Sequence, residues 1–119
     1  MPSASRTLTA SLQPVVEFDN PGYSSSVLRI DIENKGAAGV AGWKILARPV
    51  RSAPLRDITP ASVTSADGYL VVTPAPRAAA SLGAGQNTQL ALNCTLWERI
   101  EVHFQGVGAE VVAHWDALQ

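Results

Sequence analysis

Little in this chain advertises chemistry. It holds one cysteine, Cys94, so no internal disulfide can form and the fold must be held by packing, as in a reducing cytoplasm. Charged residues make up only 16%, against about a quarter in an average protein. A formal charge of −1 and a pI near 6.0 provide no basic field for phosphate-driven affinity, and no nucleic-acid partner is expected. No apolar run approaches the roughly 18 residues of a membrane span, and Met1 to Arg6 lack the basic-then-apolar pattern of a secretory signal. The expectation is a chain made in the cytoplasm without a signal peptide and with no membrane partner.

Sites are equally scarce. No Gly-x-Ser-x-Gly elbow exists for a hydrolase nucleophile, and neither a phosphate-binding loop nor a dinucleotide fingerprint occurs. His103 and His114 fall in the polar phase of their segments, where solvated histidine is expected. Zinc would need three or four convergent ligands, whereas the two histidines and Cys94 lie in opposite phases. Asp31 and Glu33 share one face, but charge display accounts for them without glycosidase chemistry. Asn93-Cys94-Thr95 matches a glycosylation acceptor inside a strand pattern and is set aside. The expectation is no enzyme, no catalytic residue, no metal and no cofactor.

What the chain does have is apolar content, 46%, arranged with period two. Helical spacing is sustained nowhere, so an all-β chain follows. Leu28, Ile30 and Ile32 alternate with Arg29, Asp31 and Glu33 before the Asn34-Lys35-Gly36 turn. Trp43, Ile45 and Ala47 share a face in Val40 to Arg48. Thr7 to Leu12 and Val15 to Phe18 read as a first strand broken at Pro14, an edge or bulge position. Tyr69 to Thr73 follows the Asp67-Gly68 turn, and Thr88 to Cys94 carries Leu90, Leu92 and Cys94 inward after Gly83-Ala84-Gly85. Ile100, Val102 and Phe104 form one row, and Val111, Ala113 and Trp115 another. The Gly106-Val107-Gly108 turn between them predicts a hairpin with Phe104 facing Val111, Glu101 opposite His114 and Arg99 opposite Asp116. One domain over residues 1–119 is expected, with about seven to eight strands in a single antiparallel β-sandwich and an irregular proline-rich connection around 49–64.

The order of these features resembles bacterial and phage immunoglobulin-like β-sandwich modules. The resemblance is carried by Ile32-Glu33-Asn34-Lys35-Gly36, the Trp43 strand and Leu82-Gly83-Ala84-Gly85-Gln86, over roughly residues 15 to 116. It implies an immunoglobulin-like sandwich; the paired cysteines of antibody domains are absent.

Two partner-binding features stand out. The run from Arg48 to Arg56 carries Arg48, Arg51 and Arg56 with prolines at 49 and 54, in a long stretch with little strand pattern, and such stretches often bind. Of three tryptophans, Trp43 and Trp115 share phase with aliphatic neighbours, which leaves Trp97 as the candidate exposed ring. The reading is a non-enzymatic structural or assembly protein, a phage virion component such as a capsid decoration, cement or head–tail subunit. It would act through protein contacts, either with virion subunits or by self-association into a homo-oligomer or larger assembly. The alternative is a carbohydrate- or surface-binding β-sandwich module of a larger secreted protein.

Overall fold

Alternation decides faces, and the chain uses the apolar faces to close one core. A computed structural model describes residues 2–58, 65–66, 69–72 and 82–119. Among them are β1 (Ser3–Thr7), β2 (Gln13–Asp19), β3 (Val27–Asn34), β4 (Gly42–Arg48), β5 (Arg56–Asp57), β6 (Ser65–Ala66), β7 (Tyr69–Val72), β8 (Asn87–Asn93), β9 (Arg99–Gln105) and β10 (Glu110–Leu118). The Asp67-Gly68 turn, Thr73 and the 59–64 part of the proline-rich connection lie outside the described residues.

The strands form two sheets, in the orders β1-β10-β3-β8-β7-β6 and β2-β9-β4-β5, with every ladder antiparallel. Four pairings set the topology: β1 with β10, β2 with β9, β3 with β8 and β4 with β5. The chain thus folds as one long hairpin whose pairs alternate between the sheets, the double Greek-key order of a jelly roll. The β6–β7 pair extends the outer edge beside β8. The described residues form an all-β sandwich of two antiparallel sheets, with ten strands among them. In an immunoglobulin domain the last two strands are neighbours in one sheet; here β9 and β10 lie in opposite sheets.

The core lies between the sheets. Leu28, Ile30, Ile32, Leu90, Leu92, Val111, Ala113 and Trp115 enter from one side and Val16, Ile45, Ala47, Ile100, Val102 and Phe104 from the other, all buried. Trp43 packs against them half-buried. Every position assigned inward from alternation is found inward.

The expected hairpin is corrected. Glu101 lies opposite Glu17 and Leu46, and Arg99 opposite Asp19 and Arg48. His114 lies opposite Ser3 and Asp31, and Asp116 opposite Arg29. The two apolar rows meet across the core instead of along a ladder. Gly106 to Ala109 forms an arch, closed by Ala109 N donating to Gly106 O at 3.1 Å. Gly106 N donates to Thr9 O, Leu8 N to Ala109 O, and Ala37 and Ala38 N both to Gly108 O. These loops hold the arch from both sides. Gly108 has φ +85° and Gly106 φ +155°, and a Cβ at Gly106 would sit 2.9 Å from Ala41 N. At Gly36 a Cβ would collide with the Gly108 carbonyl.

Thr7 to Leu12, expected as strand, mostly forms the crossing from β1 to β2, with Leu8 buried. Pro14 does mark an edge strand with a register shift, as its missing N–H suggests.

Asn34 closes the arch end. Its Nδ2 donates to Ala38 O (2.8 Å) and Leu82 O (3.2 Å), while Oδ1 accepts from Gly36 N (2.9 Å) and Glu110 N (3.3 Å). All four hydrogen-bonding positions of the carboxamide are used. Ile30→Ala is expected to lower the unfolding free energy by roughly 2–5 kcal/mol. Asn34→Asp, which keeps shape but loses both donors, should lower it by roughly 2–4 kcal/mol. Urea denaturation checks both, with the exposed Val107→Ser variant expected to change little.

Candidate functional site

The end of the sandwich opposite the arch is also tied by a buried asparagine. Asn20 Nδ2 donates to the carbonyls of Ser25 (3.1 Å), Cys94 (2.9 Å) and Trp97 (3.2 Å), and Oδ1 accepts from Ser25 N at 2.9 Å. The β2–β3 and β8–β9 connections are thereby bound to each other. A 3-10 turn, Pro21–Tyr23, follows, with Tyr23 at φ +55°. Such a conformation is costly for an aromatic residue and is tolerated where the surroundings impose it. It turns the ring outward, and the Tyr23 hydroxyl donates to Pro49 O at 2.6 Å, joining the β4–β5 connection to the same end.

Among the described residues, four large apolar side chains are left exposed there: Tyr23 from the β2–β3 connection, Val50 from β4–β5, Leu96 from β8–β9 and Leu118 from the end of β10. Arg51 is exposed beside Val50 in a turn closed by Ala53 N donating to Val50 O. This loop end is the candidate contact surface.

The residues singled out from sequence are distributed unevenly over it. Arg51 lies on it, and Arg56 is exposed in the edge strand β5, part of a short ladder with Ala47 and Leu46. Arg48 is taken up: Nη2 lies 3.1 Å from Glu98 Oε1 and Nε donates to Oε2 at 3.4 Å, with both side chains largely covered. Trp97 is corrected. It is buried in the core, because Trp97 N donates to Cys94 O and the tight turn folds the indole under the end of the sandwich. It offers no exposed platform. Tyr23 and Leu96 were missed; Pro21-Gly22 marks Tyr23 as a turn residue, but outside a strand the sequence carries no phase to say which way its ring points.

The outer face of the β2-β9-β4 sheet is polar and self-contained. Arg99 reaches three carboxylates: Nη1 to Asp19 Oδ1 at 2.8 Å, Nη2 to Glu17 Oε1 at 3.2 Å and Nε to Glu101 Oε2 at 2.7 Å. The hydrogen bond to Asp19, then that to Glu101, raises the guanidinium further above its ordinary range despite burial. His103 Nε2 lies 2.8 Å from Glu101 Oε1. An ionised carboxylate only accepts, so that nitrogen carries the proton. Burial pushes the Glu101 carboxyl up, but hydrogen bonds from His103 and Arg99 outweigh it and hold the group below 4.5.

Cys94 is buried, its Sγ 3.4 Å from Ser25 O, and burial raises its thiol pKa, which keeps it un-ionised and a poor nucleophile. Among the described residues no three His, Cys, Asp or Glu side chains are grouped to hold a metal ion.

Because Glu101 is depressed when folded, its stabilisation is complete above about pH 4.5 and is lost as pH falls toward the lower folded value. Chemical denaturation across this acid range should show stability decreasing in the wild type, with a shallower decrease in Glu101→Gln. Equal slopes in both would remove Glu101 from the acid response.

Protein-family models, curated proteins and solved structures give no match to this chain.

Proposed function

We propose that the protein is a non-enzymatic assembly protein that works by protein–protein contact, as a virion component of the decoration, cement or head–tail kind. The observation that carries the reading is the loop end, where Tyr23, Val50, Leu96 and Leu118 are exposed together beside Arg51. Exposed apolar groups of this size cost solubility unless a partner covers them, and grouped patches mark interaction surfaces. An aromatic and an arginine are the residue types that anchor such contacts. The loops displaying them are tied down by Asn20 and by the Tyr23–Pro49 hydrogen bond, so little ordering entropy remains to be lost on docking. The jelly-roll strand order is compatible, being used by viral capsid domains among others, although fold alone does not assign function.

The partner is a protein: a second copy of this chain or another subunit of the same assembly. The place of action is the virion, with synthesis in the cytoplasm.

Native mass measurement tests this on the chain alone and on the chain co-expressed with the products of genes adjacent to its own. A stable oligomer or hetero-complex is expected. Val50→Asp together with Leu96→Asp should weaken it at least about tenfold, roughly 1.4 kcal/mol or more, while the melting temperature stays nearly unchanged because both sites are exposed. A chain that remains monomeric in every combination, or a complex indifferent to both substitutions, would overturn the proposal.

A further inference from the structure

The outer faces of the two sheets carry similar polar residues but treat them differently. On the β2-β9-β4 face, Arg99, Glu101, His103, Glu17 and Asp19 satisfy one another at 2.7 to 3.2 Å. On the β10-β3-β8 face the same chemical groups are left loose around a shallow groove of about 340 Å³. Its polar lining is Arg29, Asp31, Gln89, His114 and Asp116, with Ala91 in the floor.

The register explains the shape. His114, Asp31 and Gln89 line up across β10, β3 and β8, and Asp116, Arg29 and Ala91 form the next row on the same face. Ala91 contributes only a methyl to its row, so the floor drops beside the longer side chains of Arg29 and Asp116. The contacts within the groove are weak: Arg29 Nη2 is 4.0 Å from Asp116 Oδ2, with both side chains about half exposed, and Gln89 Nε2 is 3.4 Å from Asp31 Oδ1. His114 is exposed and has no partner among the described residues.

We infer that this groove is a binding site for a neutral carbohydrate. It rests on observations separate from those at the loop end. Five planar polar groups, two carboxylates that accept, a guanidinium that donates, and a carboxamide and an imidazole that can do both, present unsaturated hydrogen-bonding capacity. A sugar hydroxyl both donates and accepts, and a ring carrying several of them matches a floor of alternating carboxylate, carboxamide, imidazole and guanidinium. The backbone contributes nothing, because β3 is laddered on both sides; a peptide could not add as a strand here. Charge selects against anions, since one guanidinium faces two carboxylates, so phosphorylated and acidic sugars are disfavoured. The volume lies in the range of small-ligand sites, about 300–1,000 Å³.

The test titrates the isotopically labelled chain with neutral glucose, mannose, galactose and xylose oligosaccharides, and with uronate oligosaccharides as the acidic control. Saturable shifts are expected for at least one neutral series, at the backbone amides of Arg29, Asp31, Gln89, Ala91 and His114. Arg29→Ala with Gln89→Ala should weaken that binding at least about tenfold; both residues are exposed, and an unchanged melting temperature confirms the fold. Val50→Asp with Leu96→Asp should leave it unchanged, which separates this site from the assembly surface. The inference is overturned by no saturable shift with any neutral series, by shifts confined to residues elsewhere, by binding of the acidic series alone, or by binding that Arg29→Ala with Gln89→Ala does not affect.

Discussion

A single buried carboxamide decides how this chain closes. Asn34 ends β3 at a point where three separate segments must meet: the β3–β4 connection, the approach to β8 and the start of β10. Its side chain bonds to Ala38, Leu82, Gly36 and Glu110, while its own backbone donates to Gln86 and accepts from Gly85. The bond to the Leu82 carbonyl is buried, where a polar group left unpaired costs about 1–3 kcal/mol. With these bonds made, β10 starts beside β3, and β9, which ends on the far side of the Gly106 arch, is left to pair with β2 and β4. The exchange of the last two strands between sheets, and with it the jelly-roll order, follows from that meeting point.

Asn20 repeats the device at the other end with a different outcome. Asn34 gathers loops that carry small residues, glycines and alanines at 36–39 and 41 around the buried Val40, so backbone packs against backbone, as at Gly36 beside the Gly108 carbonyl. Asn20 gathers loops that carry Tyr23, Leu96 and, through Pro49, Val50. Fixing those loops displays side chains instead of hiding them. Among the described residues, the Asn20 end exposes four large apolar side chains, Tyr23, Val50, Leu96 and Leu118, whereas the arch end exposes Val107 alone.

Much of this was legible in period-two alternation. The inward residues of β3, β4, β8, β9 and β10 follow directly from it, because a pleat sends neighbours to opposite faces whatever the partner strand. Partner choice did not follow. Ile100, Val102 and Phe104 can lie against Val111, Ala113 and Trp115 either side by side in one sheet or face to face across a core, and both arrangements leave the same residues dry. The deciding contacts, Gly36 against the Gly108 carbonyl and Leu8 N to Ala109 O, join segments far apart in sequence. Trp97 was misread for a related reason: outside a strand, phase carries no meaning, and a turn can fold its side chain beneath the end of the core. Asn34 was readable as a turn residue but not as a buried one. At the candidate surface, arginines drew attention through charge, whereas Tyr23 and Leu96 stand out through exposure, which composition does not reveal.

The two outer faces show how ligand capacity and stability compete for the same groups. A carboxylate, an imidazole and a guanidinium on neighbouring strands can satisfy one another, as Glu101, His103 and Arg99 do, and the sheet then gains a fixed network and little capacity for a ligand. Placed with a small residue among them and partners just out of reach, as Arg29, Asp31 and His114 are around Ala91, the groups gain little from one another and remain free for solvent or for a ligand. Spacing along the ladder separates these cases. Arg99 and Glu101 stand two apart on one strand, with Glu17 and Asp19 facing them from the next, so every charge meets an opposite one at hydrogen-bond range. Arg29 meets Asp116 across β3 and β10 at 4.0 Å and Ala91 on its other side, which leaves most of its donors unspent. The face that contributes less to holding the sandwich together is therefore the one with donors and acceptors to offer.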